Sequence, residues 1–196
     1  MRRGLQRALA LLLVLILTGC GGLRYSRLAP DLENFHPERI GLLPVDESAF
    51  CEAGGIADDV IAKMLVKTGW YSEVISSGPM RDELASKDDL RRGVVDYMEK
   101  LDKVNYSDPR LSQIIGEAFG IDAFLVVTVD FWNYTIDDDD DRIAKVGFTM
   151  QFVEASTGRV VWKAVHHEVE DYLIFKPDLT RLAEKVAGRM IEYMPH

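Results

Sequence analysis

Apolar positions recur along this chain in three rhythms, and each rhythm predicts a different element. A short unbroken run, Ile40-Gly41-Leu42-Leu43-Pro44-Val45, bounded by Pro44 and Asp46, predicts a buried strand. Between Gly55 and Lys67 the spacing is helical, with Ile56, Val60, Ile61, Met64 and Leu65 in phase and Gly69 placed to cap the helix end. Glu73-Val74-Ile75 reads as a short strand. Pro79 then marks the first turn of a helix reaching about Arg91, and Val94 to Val104 continues the pattern with Val95, Met98 and Leu101. Ser107-Asp108-Pro109 starts another helix, with Leu111, Ile114, Ile115 and Phe119 on its apolar face and Gly120 at its end. The last third changes rhythm. Ala123 to Tyr134 is β-branched and aromatic; in Lys145 to Glu154, Val146, Phe148, Met150 and Phe152 alternate with Gly147, Thr149 and Gln151; Arg159 to Glu170 follows with Val160, Val161 and Trp162. Asp137 to Asp141 and Ser156-Thr157-Gly158 are the connecting loops. A closing helix over Asp178–Met194 presents Leu179, Leu182, Val186, Met190 and Ile191 on one side. The pattern predicts an α/β (α+β) sandwich: a mixed β-sheet ending in an antiparallel three-strand meander, helices packed on the sheet, and a C-terminal helix.

The first twenty residues follow none of these rhythms. Arg2, Arg3 and Arg7 precede an uninterrupted apolar run from Ala8 to Leu17, closed by Leu17-Thr18-Gly19-Cys20. A basic start, a short apolar centre and small residues at the end are the marks of a secretory signal. About ten apolar residues are too few for a membrane-spanning helix, which needs about 20. Leu-Thr-Gly-Cys resembles the lipobox of bacterial lipoproteins. That resemblance implies a diacylglyceryl thioether and an N-acyl chain on Cys20, which becomes the first mature residue. Gly21 stands where an aspartate would favour inner-membrane retention, so the expected location is the outer membrane, facing the periplasm. The expected organisation is a signal peptide over 1–19, a lipidated tether over 20–37, and a single periplasmic domain over 38–196.

Net charge is −9 over 196 residues and the isoelectric point is near 4.9. That balance argues against a nucleic-acid partner, which would call for a basic patch. Two cysteines exclude a disulfide scaffold, and with Cys20 lipidated Cys51 has no partner in the chain; it reads as a buried or inert thiol. No phosphate-binding glycine loop and no nucleophile elbow is present. His167-Glu168 lacks the second histidine of a zinc helix, and His166 and His167 fall on opposite faces of a strand. No catalytic residue, metal ligand or cofactor is expected beyond the covalent lipid on Cys20. Asp137, Asp138, Asp139, Asp140 and Asp141 read as a solvated hairpin tip, with a docking knob for a basic partner or a calcium loop as the sharper alternatives. Asp58-Asp59 complement a helix dipole. Trp132, Tyr134 and Trp162 are candidates for a cross-strand cluster or an exposed recognition surface.

The order of motifs, more than any one of them, carries a family resemblance. Arg39-Ile40-Gly41-Leu42-Leu43-Pro44-Val45, Ala57 to Leu65 before Gly69, Tyr71-Ser72-Glu73-Val74-Ile75, Gly116 to Ala123, and Glu154-Ala155-Ser156-Thr157-Gly158-Arg159-Val160-Val161-Trp162 run in the sequence of the periplasmic lipoprotein superfamily. That superfamily includes the TolB N-terminal domain, CsgG and LpoB, and the chain resembles it over residues 38 to 194. It lacks the extra segments that build membrane hairpins in the pore-forming member, and the long arm that precedes the synthase activator. The resemblance implies a non-enzymatic, lipid-anchored envelope protein acting by protein contact, assembling or regulating an envelope machine. The alternatives are a subunit of a lipoprotein export or secretion ring, and an envelope hydrolase with dispersed catalytic residues. Expected partners are the membrane, through the lipid anchor, and an envelope protein or a second copy of the chain.

Overall fold

A computed structural model of the chain describes residues 22–196. Six strands form one sheet: β1 (Tyr25–Leu28), β2 (Arg39–Leu42), β3 (Glu73–Ile75), β4 (Ala123–Ile136), β5 (Arg142–Glu154) and β6 (Val160–Asp171). Their order across the sheet is β1-β6-β5-β4-β2-β3. β2 lies parallel to both β3 and β4, whereas β4, β5, β6 and β1 are antiparallel in turn. The helices are α1 (Ile56–Thr68), α2 (Ser77–Ser86), α3 (Asp88–Val104), α4 (Pro109–Phe119) and α5 (Leu179–Ile191). The predicted mixed sheet, meander and C-terminal helix are all present.

The alternation of β5 decides how the layers stack. Val146, Phe148, Met150 and Phe152 are wholly buried on one face; α5 packs over them, and α1 packs against α5 in the same core. α5 meets that face with Leu182, Ala183, Val186, Ala187 and Met190, an i, i+3, i+4, i+7 stripe. Its start is fixed by Asp178, whose carboxylate accepts the Thr180 N–H at 2.8 Å. Each such Leu or Met contributes about 1.5–3 kcal/mol over its exposed state. The second face carries a smaller core in which Met80, Leu84, Val94, Tyr97, Leu101 and Ile115 of α2–α4 cover Leu43, Phe124, Val126 and Val153. That cover stops halfway along β4. A bulge between Val129 and Phe131 leaves Asp130 out of register, and beyond it the second face of the sheet carries no helix. Gly158 turns β5 into β6 with φ +71°, against Pro109 at the start of α4. A side chain at Gly158 would meet both that backbone and the left-handed penalty.

Two expectations change. The stretch expected to be a tether is partly a strand: Tyr25–Leu28 pairs with Val165–Trp162, and Phe35 is 5% exposed with its ring edge-on to Phe152 at 5.4 Å. All four β1 side chains are exposed, so the strand leaves no apolar rhythm, and its partner lies more than a hundred residues away. The helical stretch 77–104 breaks at Lys87, whose backbone is extended, and not near Arg92. Asp88 and Asp89 then sit in the first turn of α3 and pair with Arg91 and Arg92 three residues on.

The first turn of α1 also does more than complement a dipole. Asp58 is 2% exposed. It accepts the Val45 N–H at 3.2 Å and an ion pair from Arg81 of α2. One carboxylate thus joins the end of β2 to α1 and α2 across the sheet edge. Removing one partner of a buried pair strands the other charge. Arg81 is 44% exposed, so water recovers part of that loss. Arg81→Ala is expected to destabilise the fold by about 1–3 kcal/mol. Equilibrium urea unfolding checks this; an unchanged midpoint would remove the pair from the account.

Candidate interaction surfaces

In open α/β sheets, ligands gather at the carboxyl ends of parallel strands, where neighbouring connections leave on opposite faces. Here that place follows Val45, and the protein's own side chains fill it. Both Glu47 carboxylate oxygens accept the Gly55 N–H, at 3.0 and 3.2 Å. Desolvation raises the Glu47 pKa against that bond, and Asp58 raises it further. With Asp58 committed to Val45 and Arg81, the crevice is closed by a satisfied network.

A cleft of about 630 Å³ opens at the opposite end, between α4, the β5–β6 turn and residues 34–37. Its polar groups have structural tasks. Asp122 accepts the Glu38 and Arg39 N–H groups at 2.9 and 2.8 Å. Gln113 donates to the Ser156 carbonyl at 2.7 Å, and the Glu154 carboxylate accepts from Thr157. Among the described residues no group of three or more His, Cys, Asp or Glu side chains is arranged to hold a metal ion.

The far end of the β4–β5–β6 meander carries the remaining chemistry. Asp137–Asp141 forms the β4–β5 hairpin tip as expected. Asp137 shapes it, its Oδ1 accepting the Asp139 and Asp141 N–H groups at 3.0 and 2.9 Å, while Asp140 adopts φ +64°. Cys20 lies outside the described residues. Cys51 is exposed, in the 3₁₀ turn Cys51–Ala53, so of the expected buried or inert thiol the buried alternative does not hold. The tryptophans do not cluster. Trp132 lies opposite Val146 and Trp162 opposite Phe152, about 20 Å apart along β5. Both are core residues, with the Trp162 indole donating to Ser26 at 3.1 Å. Sequence reasoning missed the loop after β6, where Leu173, Ile174 and Phe175 are exposed. The available signal was three adjacent apolar residues between Tyr172 and Lys176-Pro177, in phase with neither neighbouring element.

His166 and His167 fall on opposite faces, as the strand period requires. His166 is 4% exposed and bonds Glu168 at 3.2 Å; Glu168 also pairs with Lys185 and Arg189 of α5. His167 packs edge-on against Phe131 at 5.2 Å, a contact that Gly147 permits because a Cβ there would strike the His167 Cβ and the Phe131 ring. On that bare half-face the Lys145 ammonium caps the same Phe131 ring at 3.5 Å. Burial and then Arg24 and Lys145 lower the His167 pKa to about 4; burial also lowers that of His166, against Glu168.

The fold is a three-layer α+β domain, and solved structures of particular molecules share it. The PelC dodecamer of Paraburkholderia phytofirmans is 15% identical and superposes with a TM-score of 0.53, covering 85% of this chain and 92% of that one. Lipoprotein GNA1162 of Neisseria meningitidis is 17% identical with a TM-score of 0.51, covering 81% of this chain and all of that one. At these identities the likeness is one of fold. No protein-family model matches the chain, and no curated protein matches it. Among the described residues no helix is long and apolar enough to cross a membrane.

The histidines give the fold a predictable acid response. Their folded pKa values lie below the unfolded value of about 6.5. The unfolded chain therefore binds more protons between that value and about 4, and stability falls as pH falls through this window. Acidification from pH 7 to 5 is expected to cost about 1–2 kcal/mol, and His167→Gln to remove part of that slope. Thermal unfolding across the range measures it; equal slopes in both chains would exclude His167 as the source.

Proposed function

We propose that the chain is an outer-membrane lipoprotein facing the periplasm, anchored through acylated Cys20, which acts by protein contact and performs no catalysis. The observation that carries this reading is the joining of a leader ending in Leu-Thr-Gly-Cys to a fold shared with a lipoprotein and with a protein that assembles as a dodecamer. The two places where an α/β fold would hold a substrate also support it. One is closed by Glu47, Asp58 and Arg81, and the polar groups of the other hold backbone.

Self-association is the form of contact we favour, as a scaffold or ring within an envelope export assembly. Beyond the bulge at Asp130 the sheet offers a face without a helix, bearing Phe131, Lys145, Val165 and His167, all partly exposed. The Asp137–Asp141 tip is suited to a basic partner and not to nucleic acid, and no cofactor is assigned.

Two measurements test the reading. Cys20→Ala is expected to release the chain from outer-membrane fractions; a variant that still sediments with them would defeat the lipid anchor. Crosslinking of tagged full-length protein in intact cells is expected to give a ladder of the chain with itself. One distinct envelope protein in its place would shift the reading to an accessory role. Recovery of bulk outer-membrane proteins alone would overturn contact as the function.

A further inference from the structure

Three consecutive large apolar side chains stand in water at the tip of the loop between β6 and α5. Leu173, Ile174 and Phe175 are 87%, 81% and 86% exposed. One exposed hydrophobe is ordinary, but three adjacent ones on a projecting tip form a patch that needs a partner. The loop beneath them is braced. The Tyr172 N–H donates to the Arg142 carbonyl at 2.9 Å, and the Tyr134 hydroxyl to the Pro177 carbonyl at 2.7 Å. The two tyrosine rings meet edge to face at 5.9 Å, and the Lys176 ammonium lies over Tyr134 at 4.5 Å.

The course of the N-terminal chain says what covers the tip. β1 runs antiparallel to β6, with Leu28 opposite Trp162 and Tyr25 opposite Val165. Upstream of Tyr25 the chain therefore heads toward the Asp171 end of β6. Arg24 is still alongside, near enough for its charge to act on His166 and His167. Cys20 stands four residues before Arg24, a reach of at most ~14 Å. Continuing that register puts Arg24 level with His166, and from there to Asp171 the strand spans five residues, about 17 Å. A lipid held at Cys20 can therefore come within a few ångströms of the level of Asp171, on the side from which the apolar tip projects.

We infer that Leu173-Ile174-Phe175 is a second membrane contact, inserting into the interfacial zone of the same bilayer that holds the Cys20 lipid, with Tyr134 and Tyr172 at headgroup level. The inference rests on the lipid-anchor reading but not on self-association. The acidic surroundings define the kind of surface. Asp137–Asp141, Glu170, Asp171 and Asp178 outnumber Arg142, Lys176 and Arg181 at this end. Anionic headgroups are therefore repelled, and the contact is an apolar one with zwitterionic lipid, weakly dependent on salt. An acyl anchor alone leaves the domain free to swivel. A second point of insertion limits that freedom and turns a chosen face toward neighbouring copies.

The test uses the purified full-length lipidated chain carrying Phe175→Trp, reconstituted into phosphatidylcholine vesicles whose upper acyl chains are brominated. The unsubstituted chain supplies the background of the native tryptophans. The added fluorescence is expected to fall about twofold in brominated lipid and to resist aqueous iodide, as for a side chain at the acyl boundary. A chain that floats with the vesicles but whose added fluorescence is quenched by iodide and not by bromine overturns the loop contact and leaves the anchor standing. Protection from both quenchers places the tip against a second copy and also overturns it. A chain that does not float overturns both anchor and contact. The mass of the assembly in the same sample reports on self-association separately.

Discussion

The meander depends on one constraint: β5 must keep one face wholly buried while helices cover only half of the other. It is the strand between β4 and β6, and its apolar set cannot shift by a single residue without moving Phe148 and Phe152 out from under α5. The register is pinned at both ends by local chemistry, by Asp137 accepting the backbone of the β4–β5 turn and by Gly158 in the β5–β6 turn. The bulge at Asp130 then resets the outer half of β4, so that Phe131 comes opposite Gly147. The helices follow from this. α1 and α5 find a continuous apolar face, whereas α2–α4 find only half of one, and the other half is left bare.

Much of this was legible because the strongest elements are periodic over long stretches. α1, α4, α5 and the three meander strands come within two or three residues of the boundaries expected from spacing alone. The misses share a cause, which is that the deciding partner is remote in sequence. β1 is a strand only because the β6 edge accepts it; Tyr-Ser-Arg-Leu has no pattern of its own. Asp58 looks like any acidic residue in a first helical turn until Val45 and Arg81 are placed beside it. Trp132 and Trp162 are both strand aromatics, but register sets them far apart. The break at Lys87 had a local signal, the Asp88-Asp89 pair, which repeats the Asp58-Asp59 pattern at the start of α1.

The candidate surfaces were less legible than the fold. The aspartate run was visible as composition, and the structure gives it a hairpin position and an internal bonding pattern that composition does not contain. The Leu173–Phe175 tip is the reverse case. As a string it is three apolar residues out of phase with both neighbours, and only the structure after Asp171 shows it as an exposed projection. The lipidation proposed at Cys20 falls outside the described residues. Its link to the folded part is geometric, through the direction in which β1 leaves the sheet.

That direction gives β1 an unexpected standing in the life of the polypeptide. It is the first of the six strands to emerge, yet it docks onto the last strand to be made. Until β6 exists, Tyr25–Leu28 has no backbone partner, and until β1 docks, β6 is an open edge of the sort that recruits other strands. A polypeptide trimmed to begin at Glu38 would lose that cover, the Phe35 ring against Phe152 and the Ser26 acceptor for Trp162 together. The segment that looks dispensable as a leash is thus also the shield that keeps the finished sheet from pairing with its neighbours.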